Sequence, residues 1–182
     1  MSETLYKVLD VDGTAFHGGT GRWHRPSGKR PGKWMPAVPD PAACTRGYHL
    51  VTLAQLPEWL GPTIYLAEGR GQVDHQDDKS AWEQARLLRR LPWDETTARL
   101  FAADCAEHVL HFFEVEHPDD SRPRDAIAAA RAYAHGEIDV VSRDAAGAAA
   151  WAAAGDAAGD AAWAAACEWQ AQRLAHYLGT AP

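Results

Sequence analysis

With 182 residues, the chain is long enough for one domain of moderate size or two small ones sharing a core. A formal net charge of −7 argues against a general nucleic-acid or membrane-surface binder, which is usually basic. Apolar residues make up 46% of the chain, enough for a core, although many are alanines that bury little area each. Cys44, Cys105 and Cys167 are widely separated, odd in number and form no CxxC pair, which suits free buried thiols in a reducing compartment. No basic segment followed by an apolar run opens the chain, and Asp144, Asp156 and Asp160 interrupt the Ala-rich C-terminal region. Neither a secretory signal nor a membrane span is therefore expected, and a cytoplasmic location is.

Leu5–Leu9 is a short β-prone run closed by the turn pair Asp12-Gly13. From His17 to Pro41 the sequence is rich in Gly and Pro without any period, the pattern of a long irregular loop. Tyr48–Val51 reads as a second strand, after which Thr52 and Gln55 have the spacing of a capping box for a short helix ended by Gly61-Pro62. Thr63–Glu68 alternates as a strand, and Gly69-Arg70-Gly71 reads as the turn after it. Asp77-Asp78-Lys79 is another turn. Ser80–Leu91 is ambiguous, with helical spacing at Ala81, Ala85 and Leu88 but a position between a turn and Pro92 that also suits a strand.

From Asp94 onward the pattern is helical. Asp94 is the expected N-cap, and Trp93 before it can staple the start of the helix. Phe101, Cys105, Val109 and Phe112, widened by Ala98, Ala102 and Phe113, predict a buried stripe. Asp104, Glu107, His111 and Glu114 predict a solvated one. Pro118 stops this helix, and Asp119, Asp120 and Ser121 offer caps to the next, which tolerates Pro123 in its first turn. Ile127, Ala130 and Ala134 carry the second apolar stripe, and Gly136 suits a left-handed cap. An Ala-rich helical region then extends to about Leu178. It contains a repeat, RDAAGAAAWAAA at 143–154 and GDAAGDAAWAAA at 155–166. On one straight helix its tryptophans, Trp151 and Trp163, would lie roughly 120° apart, so a break near Gly155 or separate packing partners is expected.

Several groups can carry chemistry. Asp10-Val11-Asp12-Gly13-Thr14 matches the DxDGT signature of haloacid-dehalogenase-type phosphatases, but no strand–helix alternation follows, and Asp-Gly after a strand is also an ordinary hairpin turn. Cys44, His49, His17 and His24 lack fixed metal-ligand spacing, and the Glu107, His108, His111 and Glu114 face is explained by solvation, so no metal is assigned. Arg22, Arg25, Lys29, Arg30 and Lys33, with Trp23 and Trp34 among them, form a basic–aromatic loop able to grip a nucleotide or nucleic acid, or the protein's own acidic helices.

Three resemblances add to this. His17-Gly18-Gly19 with Thr63-Ile64-Tyr65-Leu66-Ala67-Glu68 resembles the His-Gly and Tyr-bearing strands of ADP-ribosyltransferases, which implies NAD held by His17 and Tyr65, with Glu68 or Glu83 as the acidic residue. The run FAADCAEHVLHFFEVEHPDDSRPRDAIAAARAYAHGE and the alanine helices after it resemble the immunity-protein domain of bacterial polymorphic toxin systems. That resemblance implies an all-helical module that neutralises a toxin. Arg46-Gly47-Tyr48-His49, IYLAEGRG and DDKSAWEQARLL are similar to a small uncharacterised domain of phage and bacterial genomes, which tips Ser80–Leu91 toward β.

The expectation is an α+β protein, with a small, mostly antiparallel sheet over residues 1–92 packed on an Ala-rich helical bundle over residues 93–182. Its first functional reading is a non-enzymatic binding protein, immunity-like or phage-accessory, with no cofactor. It would meet a protein partner, such as a basic toxin or nuclease, through Glu107, His111, Glu114, Asp119, Asp120, Arg122 and Arg124. The second is an enzyme or ligand-binding domain in the N-terminal half. There His17, His49, Tyr65 and Glu68 are catalytic candidates, and Arg25, Arg30 and Lys33 hold a nucleotide, with NAD as the cofactor of the transferase version.

Overall fold

The computed structural model describes residues 3–142, 144 and 160–180. The chain divides into two compact units, residues 1–93 with 174–182, and residues 94–173.

The first unit is built on a four-stranded antiparallel sheet in the order β1-β3-β4-β2, where β1 is Leu5–Leu9, β2 Tyr48–Leu50, β3 Thr63–His75 and β4 Ser80–Arg90. Tyr6 also exchanges both backbone hydrogen bonds with Val51, at 2.8 and 3.1 Å, so the outer strands meet and the sheet curls over its core. One face gathers Leu5, Leu9, Leu50, Tyr65, Ala67, Ala85 and Leu87, joined by Trp23 and Met35 from the irregular loop. Tyr6, Val8 and Ile64, of opposite parity, are buried too, as are Leu56, Trp93, Leu174 and Leu178 of the same unit.

Ser80–Arg90 is therefore a strand, with Ala85 and Leu87 at a two-residue spacing in the core. The expected turn at Gly69–Gly71 is absent, and β3 runs straight through it for 13 residues. These glycines serve a different purpose. A Cβ on Gly69 would fall 2.2 Å from Cδ2 of Trp82, so the indole lies against bare backbone, while Gly71, at φ +82°, sits in the register shift between Arg70 and Val73. The loop from residue 17 to 41 is irregular but anchored, since Gly32, Met35 and Val38 donate backbone hydrogen bonds to Leu87, Ala85 and Glu83 along the β4 edge. Thr52 and Gln55 form the reciprocal capping-box bonds, ahead of a 3-10 helix at Leu56–Trp59. At Asp10–Thr14 the backbone closes an ordinary turn, with Gly13 at φ +90°, next to an antiparallel edge strand. The parallel strand and following helix that the phosphatase signature requires are not there.

The second unit holds α1 (Glu95–Glu116), α2 (Arg122–Ala134) and most of α3 (Asp160–Tyr177). Asp94 caps α1 by accepting from the Thr97 N–H at 2.8 Å. Asp120, rather than Ser121, accepts the Arg122 N–H at 3.1 Å, and Ser121 instead donates to Asp125. Gly136 takes the left-handed conformation after α2, at φ +73°. Trp151 lies outside the described residues, as does the side chain of Trp163, and so does the packing of the twelve-residue repeat.

The stripes predicted for α1 are rotated. Phe101 is buried, but Val109 and Phe112 are 38% and 46% exposed, while Asp104, expected in solvent, is 8% exposed. The reason is charge. Asp104 accepts from Arg131 of α2 at 2.7 Å and from Nη2 and Nε of Arg173 of α3 at 2.6 and 2.7 Å. His108, one turn on, stacks on Trp169 of α3 with ring centroids 4.0 Å apart. Alanine-rich neighbours offer α1 little apolar area, and two guanidiniums reward a buried carboxylate instead.

Candidate functional site

Two regions hold the residues singled out by the sequence. The first is the surface of α1 and the turn after it. Glu107 is held by both terminal nitrogens of Arg131 (2.9 and 2.6 Å), which keeps its carboxyl below the usual range and raises the Arg131 guanidinium. Glu114 pairs with Arg124, and Asp120 takes a forked grip from Arg122 at 2.8 and 2.5 Å that lowers its pKa to about 2. Thus Arg122 and Arg124 neutralise this unit's own acids. His111 is exposed, its Nδ1–H donating to the His108 carbonyl at 3.1 Å. Glu116 and Asp119 are exposed and make no ion pair among the described residues.

Beside these acids lie Val109 and Phe112, which their spacing predicts for the core, and with them Val115, for which no burial was expected. Val109, Phe112 and Val115 follow one another at three-residue spacing along α1, and Val115 is 80% exposed. Residues 94–182 carry 15 acidic and 6 basic side chains, a formal −9, against 10 acidic and 12 basic, +2, in residues 1–93. The described face of α1 is therefore an apolar row set in an acidic half.

The second region is a cavity of about 500 Å³ in the first unit. Lys7 reaches it from the centre of β1, His17 and the Gly18–Gly21 loop form one wall, and Cys44–His49 with Lys79 form another. Lys7 Nζ donates to the His49 carbonyl at 3.1 Å and lies 5.2 Å from the Trp23 ring centroid; burial lowers its pKa to about 8. Lys79 covers Trp59 at 4.7 Å and pairs with Asp78 at 2.7 Å, a bond that leads the rise in its pKa. His49 Nε2 accepts from the Cys44 N–H at 3.0 Å, so the imidazole is neutral there, and burial followed by the charges of Lys7 and Lys79 lowers its pKa. His17 donates Nε2–H to the Trp59 carbonyl at 2.8 Å.

The catalytic candidates are not brought together. His17 and His49 line the cavity, whereas Tyr65 is in the core cluster and Glu68 is ion-paired to Arg86; neither lines the cavity. The basic loop is also divided. Trp23 is buried, Trp34 carries Arg70 and Arg86 over its ring at 4.1 and 4.7 Å, and Arg25 donates to the Val11 carbonyl. Arg30 and Lys33 remain exposed. Lys7 and Lys79 were missed because a single lysine in a β-run, or at the end of an acidic turn, carries no sequence signal of a pocket. No group of three or more His, Cys, Asp or Glu among the described residues is arranged to hold a metal, and no helix among them is long and apolar enough to cross a membrane.

Compared with known proteins, residues 93–178 match the family model described as "Imm-5 like putative immunity protein". The resemblance read for the C-terminal half is thereby shown; the one read for the N-terminal half has no match behind it. No curated protein and no solved structure matches the chain.

Proposed function

We propose that this is a non-enzymatic, immunity-like protein whose helical half binds and neutralises a basic protein toxin in the cytoplasm. The exposed row Val109, Phe112 and Val115 on α1 carries this reading. Burying it would supply an apolar centre for an interface, and Glu116 and Asp119, which make no ion pair among the described residues, would supply the charged edge. Glu107, Glu114 and Asp120 are engaged by Arg131, Arg124 and Arg122, so they hold α1 and α2 in position, and contact with the partner passes to the C-terminal end of α1. The match of residues 93–178 to an immunity-protein family supports a protein as the partner, and the formal −9 of residues 94–182 supports a basic one. Cys44, Cys105 and Cys167 are free thiols, as a reducing compartment would keep them, although Cys44 is exposed and the other two are half-buried where burial was expected.

The test is neutralisation of the toxic product of a neighbouring gene in co-expressing cells, with affinity measured on the purified pair. Val115→Asp combined with Glu116→Lys should leave the helical circular dichroism unchanged and weaken binding by about tenfold or more. Full protection by that double variant would refute the assigned surface. A harmless neighbouring gene product would remove the toxin as partner.

A further inference from the structure

We propose that the cavity of the first unit binds a small phosphate monoester of about mononucleotide size, a role independent of partner binding by the helices. Charge is the first argument. In a protein of net charge −7, the cavity is lined by Lys7, Lys79 and Arg46 and by no aspartate or glutamate. Lys7 is the telling residue, since it sits on the core-facing side of β1 between Leu5 and Leu9, and among the described residues no carboxylate pairs with it. Even a partly desolvated ammonium without a counter-ion is costly, and a bound anion supplies the missing charge. The His49 carbonyl satisfies one of its three donors.

Donor supply is the second argument. The backbone N–H groups of Gly18, Gly19, Thr20 and Gly21 make no hydrogen bond among the described residues, and all four residues line the cavity. Gly18 and Gly19 hold φ of +85° and +86°, and a Cβ added at Gly18 or Gly21 would meet nothing within 4 Å, so no side chain crowds this loop where it lines the cavity. With Lys7 and the Thr20 hydroxyl, these donors outnumber what a carboxylate's two oxygens need and suit the three terminal oxygens of a phosphate monoester.

Size is the third. About 500 Å³ is far more than a bare phosphate fills and lies within the range of small-molecule sites. Trp23, Tyr48 and Trp59 in the remaining wall give the rest of the ligand an aromatic surface.

Isothermal titration of the full chain at pH 7 with adenosine monophosphate, inorganic phosphate and adenosine tests this. The nucleotide should bind saturably at one site, phosphate more weakly and adenosine not measurably. Lys7→Gln should weaken nucleotide binding by about tenfold or more. Because Lys7 borders the core, Gly21→Asp serves as the second variant. It adds a carboxylate to the cavity-lining loop at a position where a Cβ meets nothing within 4 Å, should keep the wild-type melting temperature and should abolish binding. No binding of either phosphate compound at millimolar concentration overturns the proposal. So does adenosine binding as tightly as the nucleotide, or affinity unchanged in folded Gly21→Asp protein.

Discussion

The two units reach stability by different means. The sheet unit buries large side chains, with Leu9, Leu50, Leu56, Ile64 and Leu87 fully enclosed and Trp23 and Tyr65 beside them. In the helical unit the buried apolar residues described are Phe101, Ala103, Ile127, Ala166 and Ala171, so three of the five are alanines. Small side chains return little free energy on burial, roughly 25 cal/mol for each Å². There the helices are joined at polar points, with Asp104 shared by Arg131 and Arg173, Glu107 on Arg131 and Glu114 on Arg124. A core of large residues can hold a cavity open beside Lys7, which no carboxylate pairs among the described residues; an alanine bundle depends on having each buried charge matched.

The largest break in that comparison should come from Asp104→Ala. It removes the carboxylate that joins Arg173 to Arg131, which keeps Glu107, and because both guanidiniums are about a third exposed a loss of about 1.5–3 kcal/mol is expected by chemical denaturation followed at the helical signal. A loss under 1 kcal/mol would show that the helices are held by packing after all.

In the sheet unit the corresponding change has the opposite sign. Burial lowers Lys7 from its ordinary 10.5 to about 8, so between those pH values the unfolded chain binds the extra proton. Stability therefore rises with pH across that window as the penalty of the buried charge disappears. Lys7→Met should be more stable than the wild type near pH 7 by a margin that shrinks from pH 8 to 10.5, measured by parallel denaturation curves. A constant margin would mean that Lys7 titrates normally.

The smallest effect belongs to a local contact. Asp94→Ala removes the acceptor of the Thr97 N–H and should cost about 1 kcal/mol, seen as fraying of the first turn of α1 in amide exchange. No change there would reassign the cap.

Local chemistry was legible because it acts over a few residues. β1, the Thr52–Gln55 capping box, the Asp94 cap, the stop before Pro118 and the Gly136 terminus all follow from side chains acting on neighbouring backbone. Where a distant residue decides, the reading failed. Gly69 looks like a turn until Trp82 is laid across it, and Asp104 looks solvated until Arg173, 69 residues away, reaches it. Val109 and Phe112 look like core by spacing, but spacing says which residues share a face and not whether a neighbour covers it.

By itself, then, the amino-acid order determined the α+β class, most element boundaries and the kinship of the C-terminal half, because propensities, caps and motif patterns are properties of short segments. Only the tertiary structure decided which face of α1 turns inward, that β3 runs on through its glycines, and that Lys7, with no carboxylate paired to it among the described residues, stands at the wall of a cavity. Those outcomes depend on charges and ring faces brought together across long stretches of chain, and a buried ion or an indole takes its free energy from whatever the fold places against it.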